Sequence, residues 1–193
     1  MILGVTGLTG AGKGFLSGRI AERHPNAFVI DCDKVYHGLI NPGSPCWTSI
    51  CEYFDVNVIL NKDGTINRKV LGQIVFSDSQ KLTNLTAITH SHIFDAIESI
   101  LEFCGDRLYI IDSPLLFESG LCDLCDQILI AEASAEIRLQ RIMKRDNITQ
   151  EYAERRMNSQ KYEYPEGDNI TFVNTEGDWW TREIGRILES IGI

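Results

Sequence analysis

The 193-residue chain has no long apolar run. Its apolar runs, such as Tyr109-Ile110-Ile111 and Ile128-Leu129-Ile130-Ala131, fall far short of the roughly 20 residues a membrane-spanning helix needs. Proline is scarce: five residues and no glycine period exclude collagen-like and proline-rich architectures. Basic residues are in the minority. The 18 Lys and Arg against 27 Asp and Glu leave a net charge of -9, so neither nucleic acid nor an anionic membrane is an expected partner. The opening Met1-Ile2-Leu3-Gly4-Val5-Thr6 has no basic leader and runs straight into glycine-rich sequence, so no signal peptide is expected and the expected location is cytoplasmic. Six cysteines (Cys32, Cys46, Cys51, Cys104, Cys122 and Cys125) are then read as free thiols. Cys122-Asp123-Leu124-Cys125 has C-x-x-C spacing but lacks the two further ligands of a structural zinc site.

What is present describes a globular protein. The chain is 44% hydrophobic and holds eight Phe, six Tyr and three Trp, enough for one compact domain with a small appended lobe. Short apolar runs at 2–6, 27–31, 108–112, 127–131 and 169–173 read as strands covered on both faces. Helical patterns follow Gly12 as far as Arg23, and cover 79–103, 134–145, 149–161 and 179–191, with Thr149 as a candidate N-cap. Alternating strands and helices predict an α/β fold, a five-stranded parallel sheet flanked by helices. Ligands of such sheets bind beyond the carboxyl ends of the strands. The long stretch 34–106 carries helical patterns but no convincing core strand, with turns at Asn41-Pro42-Gly43-Ser44-Pro45 and Asn61-Lys62-Asp63-Gly64. It reads as a helical insertion.

Gly7-Leu8-Thr9-Gly10-Ala11-Gly12-Lys13 fits G-x-x-x-x-G-K, between a strand and a helix. Small residues let backbone N–H groups curve around an anion, the helix start adds further amides, and Lys13 adds a point charge at the outer phosphates. The next residue in such loops is Ser or Thr, whose hydroxyl binds Mg²⁺; here it is Gly14, followed by Phe15. Mg²⁺ is therefore expected to be held through waters, phosphate oxygens and acidic side chains. Ser17, a turn further on, is read as too far away. Two strands end in acids. Asp112 fits the aspartate that holds Mg²⁺ indirectly, and Asp33 is placed to accept a proton from an attacking hydroxyl, with a helix cap as its structural alternative. The segment 138–161 has seven basic residues against three acidic ones, a local +4 that leaves −13 elsewhere. Arg138, Arg141 and Arg145 recur at helical spacing on one face, as a phosphate clamp or mobile flap requires.

Together these segments resemble the dephospho-coenzyme A kinase family. The resemblance rests on Gly4 to Lys13, on Val29-Ile30-Asp31-Cys32-Asp33-Lys34 with Asn41 to Pro45, on Asp63 to Leu71 with Ile74-Val75-Phe76, on Asp112-Ser113-Pro114-Leu115-Leu116-Phe117-Glu118, and on Arg141 to Asp146, Arg156 to Gln160 and Asn174. It runs in unchanged order over residues 2–177. It implies a P-loop kinase core (1–33, 107–137 and 168–193), a helical acceptor lobe (34–106) and a basic lid (138–167). The implied reaction is ATP-dependent phosphorylation of the ribose 3′-hydroxyl of dephospho-coenzyme A, with Mg²⁺, giving coenzyme A and ADP. By the same resemblance, Asp33, Lys13 and Arg141 carry catalysis. Thr9, Gly10, Ala11, Gly12, Lys13, Gly14, Phe15, Arg145 and Asn174 bind ATP, and Asp33, Arg68, His90, Pro114 and Leu115 bind the acceptor. Asp112 takes the metal through water. The chain departs from the family pattern at Gly14 and Phe15, which replace a Ser/Thr pair, and at Ser91, which replaces the proline after His90. The alternatives are a slow or inactive nucleotide-binding relative and a P-loop kinase for another nucleoside-like acceptor. A GTP switch would need Asn-Lys-x-Asp, and Asn61-Lys62-Asp63-Gly64 has glycine at its end. Nothing in the sequence fixes the oligomeric state.

Overall fold

The computed structural model describes residues 1–160 and 162–193, with 179–182 described by backbone alone. Five strands form one sheet: β1 (Ile2–Thr6), β2 (Phe28–Asp31), β3 (Tyr109–Asp112), β4 (Gln127–Glu132) and β5 (Ile170–Asn174). Their order is β2-β3-β1-β4-β5, and β1 pairs in parallel with β3 (Val5 opposite Asp112) and with β4 (Val5 opposite Leu129). From β1 the chain goes to the edge strand β2, returns to β3 beside β1, and then crosses to β4 and β5 on the other side. The loop after β1 thus stands where the winding reverses, the place where open α/β sheets bind ligands.

The chain divides into two compact units. The first, Met1–Ile30 with Asp106–Ile193, holds the sheet together with α1 (Lys13–Arg23), α7 (Ala135–Asp146), α8 (Gln150–Asn158) and α9 (Trp179–Ser190). Its core joins Leu3 and Val5 of β1, Leu16 and Ile20 of α1, Ile110, Leu129, Val173, and Ile184 and Leu188 of α9. The helical partners lie four residues apart, on one face. Each fully buried Leu or Ile here contributes about 1.5–3 kcal/mol relative to exposure. β3 is buried at every residue, as its unbroken apolar run requires.

The second unit, Asp31–Gly105, contains α2 (Cys32–Leu39), α3 (Pro45–Tyr53), α4 (Val56–Ile59), α5 (Arg68–Phe76) and the 25-residue α6 (Ser79–Phe103). Among the described residues it has no strand, only a single antiparallel bridge between Leu60 and Ile66. Short polar residues start its helices. Ser44 accepts from the Trp47 amide, Asn67 from Val70, and Asp78 from both Gln80 and Lys81. Such caps satisfy first-turn amides that have no helical partner. Its own core packs Ile40, Cys46, Ile50, Phe54, Ile59, Leu71 and Val75. The turn at Asn61–Gly64 is held by Thr65, whose amide and hydroxyl both donate to Asp63. No helix among the described residues is long and apolar enough to cross a membrane.

Candidate active site

Between β1 and α1 the backbone turns sharply: the Ala11 amide donates to Leu8 O, and Gly10 and Gly12 adopt φ of +81° and +95°. A side chain at Gly10 would meet the Arg138 carbonyl oxygen at 2.7 Å, so glycine is required there by both conformation and space.

Three successive carbonyls of this loop are engaged by side chains. Arg138 Nε donates to Thr9 O at 2.9 Å, Arg141 Nη1 to Gly10 O at 3.3 Å, and the Thr175 hydroxyl to Ala11 O. In a trans peptide the N–H points opposite to the preceding carbonyl. The amides of Gly10 and Gly12 therefore face away from these partners, toward the hollow of the loop. The start of α1 adds its own positive end there, and Gly12 brings no side-chain oxygen to cap it. The result is an anion cradle braced from behind. Arg141 is the main brace: besides Gly10 it donates to the Thr175 hydroxyl (2.9 Å) and carbonyl (2.6 Å). On the other flank the Thr9 amide donates to the side-chain oxygen of Gln160 at 2.8 Å.

Lys13 Nζ forms an ion pair with Asp112 Oδ1 at the end of β3, with side chains 20% and 11% exposed. The second oxygen of Asp112 accepts from the Ser17 hydroxyl at 2.8 Å. Ser17 is expected to be too far away to hold Mg²⁺ itself; one helical turn nevertheless brings its oxygen onto the carboxylate of Asp112. Among the described residues no group of three or more His, Cys, Asp or Glu could hold a metal by protein ligands alone. A single carboxylate beside an anion cradle suits an ion that keeps several waters and takes phosphate oxygens, as Mg²⁺ does.

Downstream of Asp112, Pro114, Leu115 and Glu118 line a hollow of about 140 Å³ together with Leu8, Gln160, Tyr162 and Tyr164. The ring of Phe117 stacks on Tyr162 at 6.0 Å, and the two tyrosine rings lie 5.0 Å apart. Burial pushes the Tyr164 phenol above its usual range.

The other expected residues have different surroundings. Arg145 does not meet the loop here; it pairs in bidentate fashion with Asp146 (2.8 and 2.9 Å), which also holds Arg156. Asn174 accepts from the Glu176 amide. Phe15 is 54% exposed, with the Arg19 guanidinium over its ring. In the second unit Asp33 sits in the first turn of α2, but the cap of that helix is Asp31, whose carboxylate accepts from the Lys34 amide. Arg68 opens α5, and its charge opposes the upward push that burial gives the Tyr36 phenol. His90 lies on α6. All six cysteines are free thiols, and Cys125 donates to Leu121 O.

Sequence reasoning missed Thr175 and Ser17 as parts of the loop's support. Thr175 follows β5 and is 2% exposed, so it could be paired with the loop only once the sheet order was known. Ser17 carried a signal: a small polar residue on the apolar face of α1, between Leu16 and Ile20.

Comparison with known proteins agrees with this geometry. The family model for dephospho-CoA kinase (CoaE) matches residues 1–166. The dephospho-CoA kinase of Lactiplantibacillus plantarum is 39% identical over 163 residues, covering 82% of this chain and 80% of that protein. The Lactobacillus johnsonii protein of the same name is 32% identical over 98% of both chains. Among solved structures, the Campylobacter jejuni dephospho-CoA kinase superposes with a TM-score of 0.64 at 25% identity, covering 98% of this chain and 96% of its own. TT1252 from Thermus thermophilus shares the fold at a TM-score of 0.78 and 23% identity, covering 98% and 97%. With a glycine loop, a lysine and a strand-end aspartate arranged to receive phosphates, and with this match along most of its length, the chain belongs to the dephospho-CoA kinase family.

Proposed function

We propose that the chain transfers the γ-phosphoryl group of ATP to the 3′-hydroxyl of the dephospho-coenzyme A ribose, giving coenzyme A and ADP. The observation that carries this reading is the cradle at 7–14, whose carbonyls are tied back by Arg138, Arg141 and Thr175 while its lysine is held beside Asp112. A triphosphate entering the cradle meets the Gly10 and Gly12 amides and draws Lys13 to its outer phosphates. Thr9, Ala11, Gly14 and Phe15 complete the loop's contacts with ATP, Arg145 reaches its phosphates from the lid, and Asn174 meets its nucleoside end. Asp112 would hold Mg²⁺ through water. When bound, that ion would offset the charge developing on the leaving oxygen.

In the second unit, Asp33 accepts the proton of the 3′-hydroxyl as the new O–P bond forms. The bond from the γ-phosphorus to the β–γ bridging oxygen breaks, and its electron pair leaves with ADP. Residues 34–106 act as the acceptor lobe, with Arg68 and His90 binding dephospho-coenzyme A alongside Pro114 and Leu115 of the core. Residues 138–167 act as a basic lid. There Arg145 offsets charge on the transferring group, Arg141 acts through the loop it braces, and water is excluded, which limits wasteful hydrolysis. A reaction drawing on ATP is in keeping with a cytoplasmic location.

The test is ADP formation with dephospho-coenzyme A, compared with nucleosides and nucleoside monophosphates at equal concentration. Turnover with dephospho-coenzyme A far above the others is expected. Preference for a nucleoside would reassign the acceptor, and no acceptor-dependent turnover would overturn the reading.

A further inference from the structure

We propose that Ser17 is a positioning residue that fixes the carboxylate of Asp112 for the divalent cation, replacing from the second turn of α1 the hydroxyl that Gly14 lacks. The inference rests on the magnesium role given to Asp112 above. In phosphate-binding loops of this kind, the residue after the lysine places a hydroxyl beside the strand-end aspartate and the metal. Nothing in the structure demands glycine at that position. The backbone of Gly14 is outside the left-handed region, and a Cβ there would meet only Asp112 Oδ2, at an ordinary 3.8 Å. The Ser17 hydroxyl lies 2.8 Å from that same oxygen. Residues three apart stand on one helical face, so positions 14 and 17 both address Oδ2.

A bland role for Ser17 would be to bond back to the helix, since Lys13 O lies 3.2 Å from its oxygen. The hydroxyl has one proton, however, and an ionised carboxylate can only accept. The shorter, charge-assisted bond to Asp112 takes that proton. Ser17 is itself 2% exposed, so water does not compete for it. Asp112 is therefore held at both oxygens, by Lys13 and by Ser17. The two supports differ in permanence. An incoming triphosphate attracts Lys13 away from Asp112, whereas Ser17, a neutral donor, stays. At the moment the cation arrives, Ser17 is what keeps the carboxylate aimed.

The test compares binding of the imido analogue of ATP in Mg²⁺ and in EDTA, by calorimetry, for wild type, Ser17→Ala, Asp112→Asn and the double variant Gly14→Ser/Ser17→Ala. Removing the outer partner of a metal-binding group weakens the metal by about 10-fold or more. Ser17→Ala is expected to lose about 10-fold of the Mg²⁺-dependent tightening, while its affinity in EDTA and its thermal midpoint stay as in wild type. Gly14→Ser is expected to restore the loss. The inference fails if Ser17→Ala keeps the full Mg²⁺ effect, if its EDTA affinity falls in parallel (a packing role), or if Gly14→Ser restores nothing. Asp112→Asn separates the two levels. If it too keeps the Mg²⁺ effect, the magnesium role of Asp112 falls; if it loses the effect while Ser17→Ala does not, the role of Ser17 alone falls.

Discussion

Lys13 pairs with the Asp112 carboxylate, and in the proposed reaction it turns to the phosphates of the nucleotide. Lys13→Ala removes a charge whose strongest partner is the transition state, so kcat is expected to fall about 10²–10³-fold, the usual cost of one preorganised electrostatic group. Steady-state ADP release measures it, and near-wild-type turnover would remove Lys13 from the chemistry. Asp33→Asn keeps shape but loses basicity. Analogue binding should match wild type while kcat drops at least 10²-fold or so. An unchanged kcat would leave Asp33 as a first-turn acid that merely complements the dipole of α2. Lys13 and the glycines were legible in the sequence because their chemistry needs fixed local spacing, and Asp112 because it ends an apolar strand run. Ser17 and Thr175 were not, because their partners lie 95 and 164 residues away and only folding brings them together.

At the scale of elements, α7 and α8 are pinned by one acid. Asp146 accepts from Arg145 on α7 and from Arg156 on α8, and the hydrogen bonding of Arg145, more than any other contact, holds its carboxyl below the usual range. A carboxyl depressed in the folded state contributes stability above its unfolded pKa, and that contribution is lost as pH falls through the folded value. Acidification below about pH 4, the ordinary Asp range, should therefore loosen α8 before the sheet unfolds. Asp146→Asn should give the same faster amide exchange over 150–158 at neutral pH, and unchanged exchange would show the pairing to be idle. Most element positions were readable from periodicity, with β1 and α6 matching to the residue. The misses are at ends. Ala27 was read as strand, yet its amide closes a turn on His24 O, so β2 starts one residue later. Conversely, β4 runs on to Glu132 because Asn174 of β5 lies opposite it, and the adjoining Thr175 amide bonds its carbonyl. Thr149 occupies the cap position of α8 without making a side-chain cap bond. That helix ends at Asn158, short of the expected 161, and Lys161 lies outside the described residues. Such ends are set by long-range partners that a local pattern does not contain.

For the whole molecule, the chain divides into two units, each with its own core. The segment from Asp31 to Gly105 is a single continuous insertion between β2 and β3, with helices capped from within. Its residues can therefore be altered without replacing any residue of the cradle. Arg68 is the informative site. It is exposed and begins α5, where a positive charge opposes the helix dipole, so helix stability gives no reason for arginine there. An anionic acceptor does, since a guanidinium and a helix start together favour phosphate. Arg68→Ala should raise the KM for dephospho-coenzyme A about 10-fold, the loss of one charge-assisted hydrogen bond. The KM for ATP should stay at its wild-type value, because every nucleotide contact assigned above lies in the other unit. Initial rates with each substrate varied in turn decide the matter. A rise in both constants would mean that the insertion does not act as a separate acceptor lobe, and a rise in neither would remove Arg68 from acceptor recognition.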